Sequence, residues 1–298
     1  MHDFKLKRII KKLFQTMFFL VPLLLVVIIS FPAWGVEVKW KLIKGGDVSS
    51  LSSSEKKRVK SLLNEINCYW KCSDKLAVCL QKKPKNMTAR LVSGMVVRLV
   101  NKGKSDAYIK KAVLYRAKTM HPFRKFKIKP NLKQCLGKPD KAKIVISVYG
   151  DFQCPYCSKI LPKIEKIAKK DKNITLCFKN FPTLAHGDNS VLSSAAAVAA
   201  SLQGKFWKMH DILYENRKNQ SRSSILGFAR KIGLNVKKFK EDWNSRKVRR
   251  IVAKEKQEGL KYKVKGTPTL FLNGKKYHGK KSESEIKSRL LEEFHLVK

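Results

Sequence analysis

The sequence predicts an α/β protein in which a strand–helix–strand unit leads into a helical insert, a hairpin and a last helix. A small all-helical domain precedes it. Three observations carry this reading. Ile144-Val145-Ile146-Ser147-Val148-Tyr149 is a short, β-rich apolar run of the kind that becomes a buried central strand. Between about 189 and 262 the composition is helical, through an Ala-rich stretch from Ala195 to Ala200 and then Phe206 to Tyr214. Ahead of position 120, two apolar sets recur at the 3.6-residue period: Val59, Leu62, Leu63 and Ile66, then Leu91, Val92, Met95, Val96, Leu99 and Val100.

Along the chain, residues 1–35 read as a signal peptide or N-terminal anchor. Lys5, Lys7, Arg8, Lys11 and Lys12 form a basic leader, and Leu13 to Ile29 is apolar apart from Gln15, Thr16 and Pro22. Ala33-Trp34-Gly35 then has the small-x-small pattern of a cleavage site. Either outcome places the rest of the chain outside the cytoplasm, in a periplasm or its equivalent, with residues 13–29 holding it to the inner membrane if they are retained. Residues 36–52 are rich in Ser, Gly and Lys and read as a linker or a short irregular arm. Ser52 and Glu55 make a capping box that opens the helical domain, 53–125. Gly103 suits a C-cap there, and Ser105 can cap a third helix carrying Ile109, Ala112 and Val113. His121-Pro122 and the basic stretch to Lys129 read as a connector. The α/β domain then takes 126–298, with its insert at about 189–262. Ile174 to Phe178 is a second strand, Thr269 to Leu272 a third, and Asn273-Gly274 a hairpin turn into Lys276-Tyr277-His278. A closing helix runs from Glu283 to Phe294.

Hydrophobic residues at 43% exclude wholesale disorder, and no second long apolar run exists to make a polytopic membrane protein. The formal charge of +44 is spread along the whole chain rather than gathered in an arm. Only 13 of the 66 bases are Arg, the residue better suited to bidentate phosphate recognition, and no nucleic-acid reading motif accompanies them. With export, nucleic acid drops out as a partner. A solvated Lys-rich surface, with weak attraction to anionic envelope surfaces, is the reading that stays.

Seven cysteines lie at 68, 72, 79, 135, 154, 157 and 177, an odd number in an exported chain. Cys154-Pro155-Tyr156-Cys157 stands between a strand and a helix start. There the first sulfur meets the unpaired N–H groups and positive end of the helix, which lower a thiol pKa from about 8.5 into the range of roughly 3.5–7.5. Pro155 loses only an N–H that would be orphaned at that position. Cys157, three residues on, lies under the same turn and can resolve a mixed disulfide formed at Cys154. A zinc half-site would need a second Cys or His pair at zinc spacing, which is absent from the sequence.

Asp151-Phe152-Gln153-Cys154-Pro155-Tyr156-Cys157 resembles the active-site signature of the thioredoxin superfamily, in its exported DsbA/DsbG-like branch. Pro162 matches the proline of the active-site helix. Gly266-Thr267-Pro268-Thr269 is similar to the cis-proline loop, and Gln203 to Asp211 resembles the helical insert of DsbA-like domains. The likeness covers about residues 126–298. It implies a thioredoxin fold and an exported thiol–disulfide oxidoreductase acting on cysteine-containing exported proteins. Cys154 would be the attacking thiolate and Cys157 the resolver. Thr267 and Pro268 would hold an extended substrate segment by β-type hydrogen bonds, and a separate redox partner would recharge the pair. The cysteines are themselves the redox group, so no metal, nucleotide or flavin is implied. The Pro155-Tyr156 dipeptide and the Thr before Pro268 are closer to DsbG-like reductases or isomerases, while the helical N-terminal domain differs from theirs. Disulfide formation or reshuffling is therefore the direction expected. The alternatives are a dedicated reductase, for example in cytochrome c maturation, and a redox-inert basic envelope scaffold.

Gly103-Lys104-Ser105-Asp106, Ile109 and Arg116, behind a cysteine-bearing start, resemble the three-helix domain of CcmH-like cytochrome c maturation proteins. Those carry Cys-x-x-Cys, whereas this chain has Cys68-x-x-x-Cys72. Cys68, Cys72, Cys79 and Cys135 are expected to form structural disulfides, with a second redox pair and metal binding as the other readings. Cys177, inside an apolar strand, reads as a buried inert thiol. Trp207 and His210 read as packing residues on a helix of the insert. His186 follows Phe181-Pro182 in a loop, and neither it nor Asp151 is given a role.

Overall fold

The computed structural model describes residues 35–120 and 125–295; the leader and the anchor expected at 13–29 lie outside them, as does the His121-Pro122 connector. Among the described residues no helix is long and apolar enough to cross a membrane.

Four helices make the N-terminal part: α1 (Ser53–Glu65), α2 (Leu76–Lys82), α3 (Met87–Val100) and α4 (Asp106–Met120). The Ser52–Glu55 capping box starts α1, with Glu55 N donating to Ser52 Oγ and Ser52 N to the Glu55 carboxylate. Val59, Leu62 and Leu63 of α1 and Val92, Val96 and Val100 of α3 are buried in one apolar core. Residues 36–52 differ from the expected linker. Val38, Ile43 and Leu51 are buried in that same core, and Arg90 Nε donates to the Leu42 carbonyl at 2.7 Å. The reason is Gly94. A Cβ there would lie 1.9 Å from the Lys44 carbonyl oxygen, so only glycine lets the segment cross α3 this closely.

The C-terminal part is a five-stranded sheet in the order β1 (Cys135–Leu136), β3 (Ile174–Asn180), β2 (Ile144–Gly150), β4 (Thr269–Leu272), β5 (Lys275–Lys276). β2 is central, parallel to β3 and antiparallel to β4. Both faces of β2 are covered, which is why it reads as a continuous apolar run. Ile146, Val148, Leu270 and Leu272 face the main core with α5 (Pro155–Lys170), while Tyr149 and Phe271 pack with Phe181 and Val264 on the other face. The insert is α6 (Asp188–Leu202), α7 (Phe206–Glu215), α8 (Arg222–Lys231), α9 (Val236–Asn244) and α10 (Arg246–Lys261). The buried alanines of α6 present small side chains on which α7, α9 and α10 pack. The hairpin turns at Asn273-Gly274, both with positive φ, and α11 (Glu283–Phe294) closes the chain.

Two disulfides differ in part from the sequence expectation. Cys72 pairs with Cys79, but Cys68 is a free buried thiol, and Cys135 pairs with Cys177, which is therefore not an inert thiol. The sheet register explains the second bond: antiparallel pairing of β1 and β3 sets Cys135 directly opposite Cys177, with Cα atoms 4.0 Å apart. It ties a two-residue edge strand to the sheet across a sequence separation of 42. A loop of that length corresponds to about 4 kcal/mol in the chain-entropy account. The Cys135→Ala/Cys177→Ala double variant should lose up to that amount in denaturant unfolding. Unchanged unfolding would show that β1 is held by its packing alone.

A buried charge network joins the two parts. Arg116 of α4 donates to Glu285 (3.3 Å), Ser288 (3.1 Å) and Glu292 (2.8 Å) of α11 and to the Tyr69 hydroxyl (3.0 Å). Arg98 of α3 pairs with Glu285, and Arg289 pairs with Glu292.

Candidate active site

The site is built at the carboxyl end of β2, where the strand hands over to α5. Asp151 makes the turn. Its carbonyl accepts from Cys154 N at 3.0 Å and its carboxylate from Gln153 N at 2.9 Å. That turn sets Cys154 at the N-cap of α5 with Pro155 in the first turn, and Cys157 one turn further on the buried face. Phe152 pins the loop from below, stacked on Phe178 at 5.1 Å. On the other side Gln153 Nε2 donates to Gln220 at 2.6 Å and Arg217 to the Gln153 carbonyl at 3.2 Å, so the insert also grips the turn.

Cys154 and Cys157 are both free thiols here, and Cys154 is 2% exposed. Their environments split their acidities. The Cys157 thiol, hydrogen-bonded to the Cys154 sulfur, is the largest influence holding Cys154 down to about 5. Burial opposes it, and the Thr267 side chain and the Cys157 and Tyr156 amides assist. The helix-start amides argued from sequence therefore contribute, but the partner thiol contributes more. Cys157 is pushed well above the ordinary thiol range by burial first, and then by its interactions with Cys154. One sulfur is thus a thiolate at neutral pH and the other holds its proton, the division of labour that thiol–disulfide exchange needs.

The Thr267–Pro268 peptide is cis, and the Thr267 carbonyl oxygen lies 3.3 Å from Cys154 Sγ. Of the residues singled out in the sequence, Cys154, Cys157, Pro155, Tyr156, Thr267 and Pro268 come together here. Tyr156 is 71% exposed at the helix start. Cys68, Cys72 and Cys79 belong to the N-terminal core, and Cys135 to the sheet edge.

Sequence reasoning left out two groups. Asp151 is fully buried, and its second carboxylate oxygen accepts from Thr183 N (2.9 Å) and Thr183 Oγ1 (3.0 Å) and meets His186 Nδ1 at 2.7 Å. It thereby ties the active-site turn to the loop after β3, which carries Leu184 at 90% exposure. An Asp two residues before a backbone amide in a strand-to-helix turn is the local signal for half of this; the His186 half has none. Tyr214 of α7 is the other group, its hydroxyl 3.3 Å from the Asp151 carbonyl oxygen. His210 is buried among aromatic rings, with Trp207 at 4.7 Å and Tyr214 at 4.9 Å, a packing position. Among the described residues, Glu165, His210 and Asp211 bring ligand atoms within 4.8 Å of one another, and the Lys169 ammonium already pairs with Glu165 there at 2.6 Å.

A family model described as Thioredoxin matches residues 133–292, more than half of the chain. A probable disulfide bond formation protein D of Bacillus cereus is 32% identical over 154 residues, covering 47% of this chain and 70% of that protein. A Na(+)/H(+) antiporter NhaA 1 of Salinispora arenicola is 31% identical over 141 residues, 47% of this chain. The chain spans only 22% of that antiporter's length. Among solved structures, oxidised BdbD of Bacillus subtilis aligns with a TM-score of 0.49 at 24% identity, over 57% of this chain and 98% of that one.

Proposed function

The chain belongs to the thioredoxin family, and from that premise we propose that it is a thiol–disulfide oxidoreductase whose redox group is the Cys154–Cys157 pair. The observation that carries this is the split acidity of two adjacent sulfurs at a helix start, with Cys154 brought to about 5 and Cys157 raised. Cys154 forms the mixed disulfide with the substrate, and Cys157 closes or opens the internal disulfide. The Thr267 carbonyl, 3.3 Å from Cys154 Sγ, faces the position where an extended peptide would pair its backbone. Exposed Tyr156 and Leu184 offer apolar contact to such a segment. The substrates are cysteine-containing exported proteins, and a second redox protein recycles the pair.

The direction follows from which form the fold favours. A thiolate held at about 5 stabilises the reduced pair, and a pair stabilised when reduced is an oxidant. Thiolates near about 3.5 and about 7 accompany potentials near about −120 and −270 mV. The present pair should therefore lie between them, at about −150 to −200 mV, the range of disulfide donors and isomerases. Equilibration of the purified protein with glutathione redox buffers measures it directly. A value near about −270 mV would instead make this a reductase, as in cytochrome c maturation. No measurable exchange would favour a redox-inert scaffold.

A further inference from the structure

We propose that His186 is a positioning residue that gives the exchange its preference for protein substrates over small thiols. Through its bond to Asp151 it holds Leu184 beside the redox turn, as an anchor for substrate segments that carry a large apolar residue near their cysteine. The proposal rests on the reading of Cys154 and Cys157 as the redox pair.

The loop after β3 is pinned at both ends to one buried carboxylate. At its start, Thr183 N and Thr183 Oγ1 donate to Asp151 Oδ2 at 2.9 and 3.0 Å. At its end, His186 Nδ1 lies 2.7 Å from the same oxygen and 2.8 Å from Thr183 Oγ1. A carboxylate only accepts, and Thr183 already gives its hydroxyl proton to it, so Nδ1 carries a proton and donates it to Asp151. Between the two pins the chain makes one tight turn. His186 N donates to the Thr183 carbonyl at 3.1 Å and Gly187 N to the Leu184 carbonyl at 3.0 Å. Gly187, at a φ of 74°, then directs the chain into α6. Asp151 is also the residue whose carbonyl accepts from Cys154 N and whose Oδ1 accepts from Gln153 N. Loop and redox turn therefore share one fixed point, and Leu184 is a single peptide step from it.

What this fixed point carries outward is apolar. Leu184 is 90% exposed, Tyr156 in the first turn of α5 is 71% exposed, and Val191 at the start of α6 is half exposed. Among the described residues of the C-terminal part, the other large apolar side chains left this open are Leu132, Leu260 and Leu291. Half of that exposed set thus belongs to the segments that meet at Asp151. A lone exposed leucine is ordinary, but one held on a tight turn tied to the redox turn is a preformed contact, and a substrate meets it without having to order it. The fold does not need His186 for this. Without it Asp151 keeps the Gln153 N, Thr183 N and Thr183 Oγ1 donors, and the imidazole is itself 25% exposed. Removing the ring releases the far end of the turn, and Leu184 with it. Glutathione brings no large apolar side chain to that place, so its exchange depends on the cysteine pair and little on the loop.

Protein oxidised at the pair is mixed with an excess of one of two thiols: reduced glutathione, or a short synthetic dithiol peptide with leucines beside its cysteines. Loss of the Cys154–Cys157 disulfide is followed by acid quench and mass spectrometry. Burying a leucine side chain is worth about tenfold or more in an equilibrium constant, and the loop keeps its Thr183 end. His186→Ala should therefore raise the half-saturating peptide concentration about three- to tenfold at an unchanged plateau rate, and should slow glutathione by less than about twofold. His186→Asn should restore the wild-type peptide dependence, because its amide N–H stands where Nδ1 donates; His186→Gln, whose amide reaches the Nε2 position, should not. Leu184→Ala, at an exposed side chain, should raise the half-saturating concentration at least as much, and His186→Ala should add nothing to it. Wild-type peptide dependence in either alanine variant overturns the proposal, and the Leu184 variant decides it even if His186→Ala fails to fold. Equal losses with both thiols, an asparagine variant as impaired as the alanine one, or full additivity with Leu184→Ala also overturns it. If wild type exchanges with neither thiol, the oxidoreductase reading fails and takes this inference with it; in every other failure that reading stands.

Discussion

Cys154→Ser should abolish exchange with glutathione and with disulfide-containing peptides, whereas Cys157→Ser should still react once and stay trapped as a mixed disulfide at Cys154. The contrast follows from position, since Cys154 faces the cis Thr267–Pro268 loop and Cys157 is fully buried beneath it. The reactive sulfur also has a pH signature. With its acidity at about 5, Cys154 in the reduced protein should be alkylated with a midpoint near that pH. At pH 6 it is about nine-tenths thiolate, where an ordinary cysteine would be about 0.3% ionised. Because the Cys157 thiol is the largest influence on Cys154, Cys157→Ala should move that midpoint upward; an unmoved midpoint would assign the effect to the helix-start amides instead. The same acidity makes a stability statement. A group whose folded pKa is below its unfolded one stabilises the fold fully above the unfolded value and loses that contribution as pH falls through the folded one. Reduced protein should therefore gain stability over oxidised protein as pH rises from about 5 toward the ordinary thiol range near about 8.5, and thermal melts of the two forms across that window test it.

The largest stability effect is expected at Arg116, far from the cysteines. Arg116→Met removes the guanidinium from Glu285, Glu292, Ser288 and Tyr69 and leaves two carboxylates buried. Stripping one partner from a buried ion pair costs about 3–5 kcal/mol, much of it the desolvation of the charge left behind. Denaturant unfolding should show a loss of that order. Adding Glu292→Leu to Arg116→Met should recover part of it, because an apolar pair of similar volume carries no such penalty. An unchanged midpoint in the single variant would mean that Arg289 and Arg98 neutralise the carboxylates without help. Burial alone would raise the Glu292 carboxyl, but Arg116 and Arg289 more than offset it and hold it below the usual carboxylate range. A depressed carboxylate stabilises above its unfolded pKa, so this part of the interface is fully formed at neutral pH and fails only in acid, below the ordinary carboxylate pKa of about 4.3.

What was legible in the sequence is what depends on near neighbours. The Ser52–Glu55 capping box joins residues three apart, the Asn273-Gly274 turn is decided by two residues, and the apolar run of β2 announces burial on both faces. Cys154-Pro155-Tyr156-Cys157 likewise states its chemistry within a single helical turn, because the helix start itself supplies the amides that favour a thiolate. Thr267 is remote in sequence but was recognisable through its proline.

The rest was decided by which distant surfaces meet. Cys135 finds Cys177 only once the register of β1 on β3 is set, and Cys68, equally a cysteine, is left without a disulfide. Residues 36–52 have linker composition yet are drawn into the core, because Gly94 on another helix leaves room for their backbone. Arg116 and Tyr214 have no local signal at all. An arginine on an amphipathic helix and a tyrosine on an insert helix read as surface and packing residues until α11 and the active-site turn are placed against them. The sequence by itself determined the elements and the place of the cysteine pair at a helix start, since short-range hydrogen bonding and hydrophobic period depend on adjacent residues. Tertiary structure decided the disulfide partners, the interface charge network and the Tyr214 contact with the active-site turn, since each is a contact whose strength comes from burial shared between segments far apart in the chain.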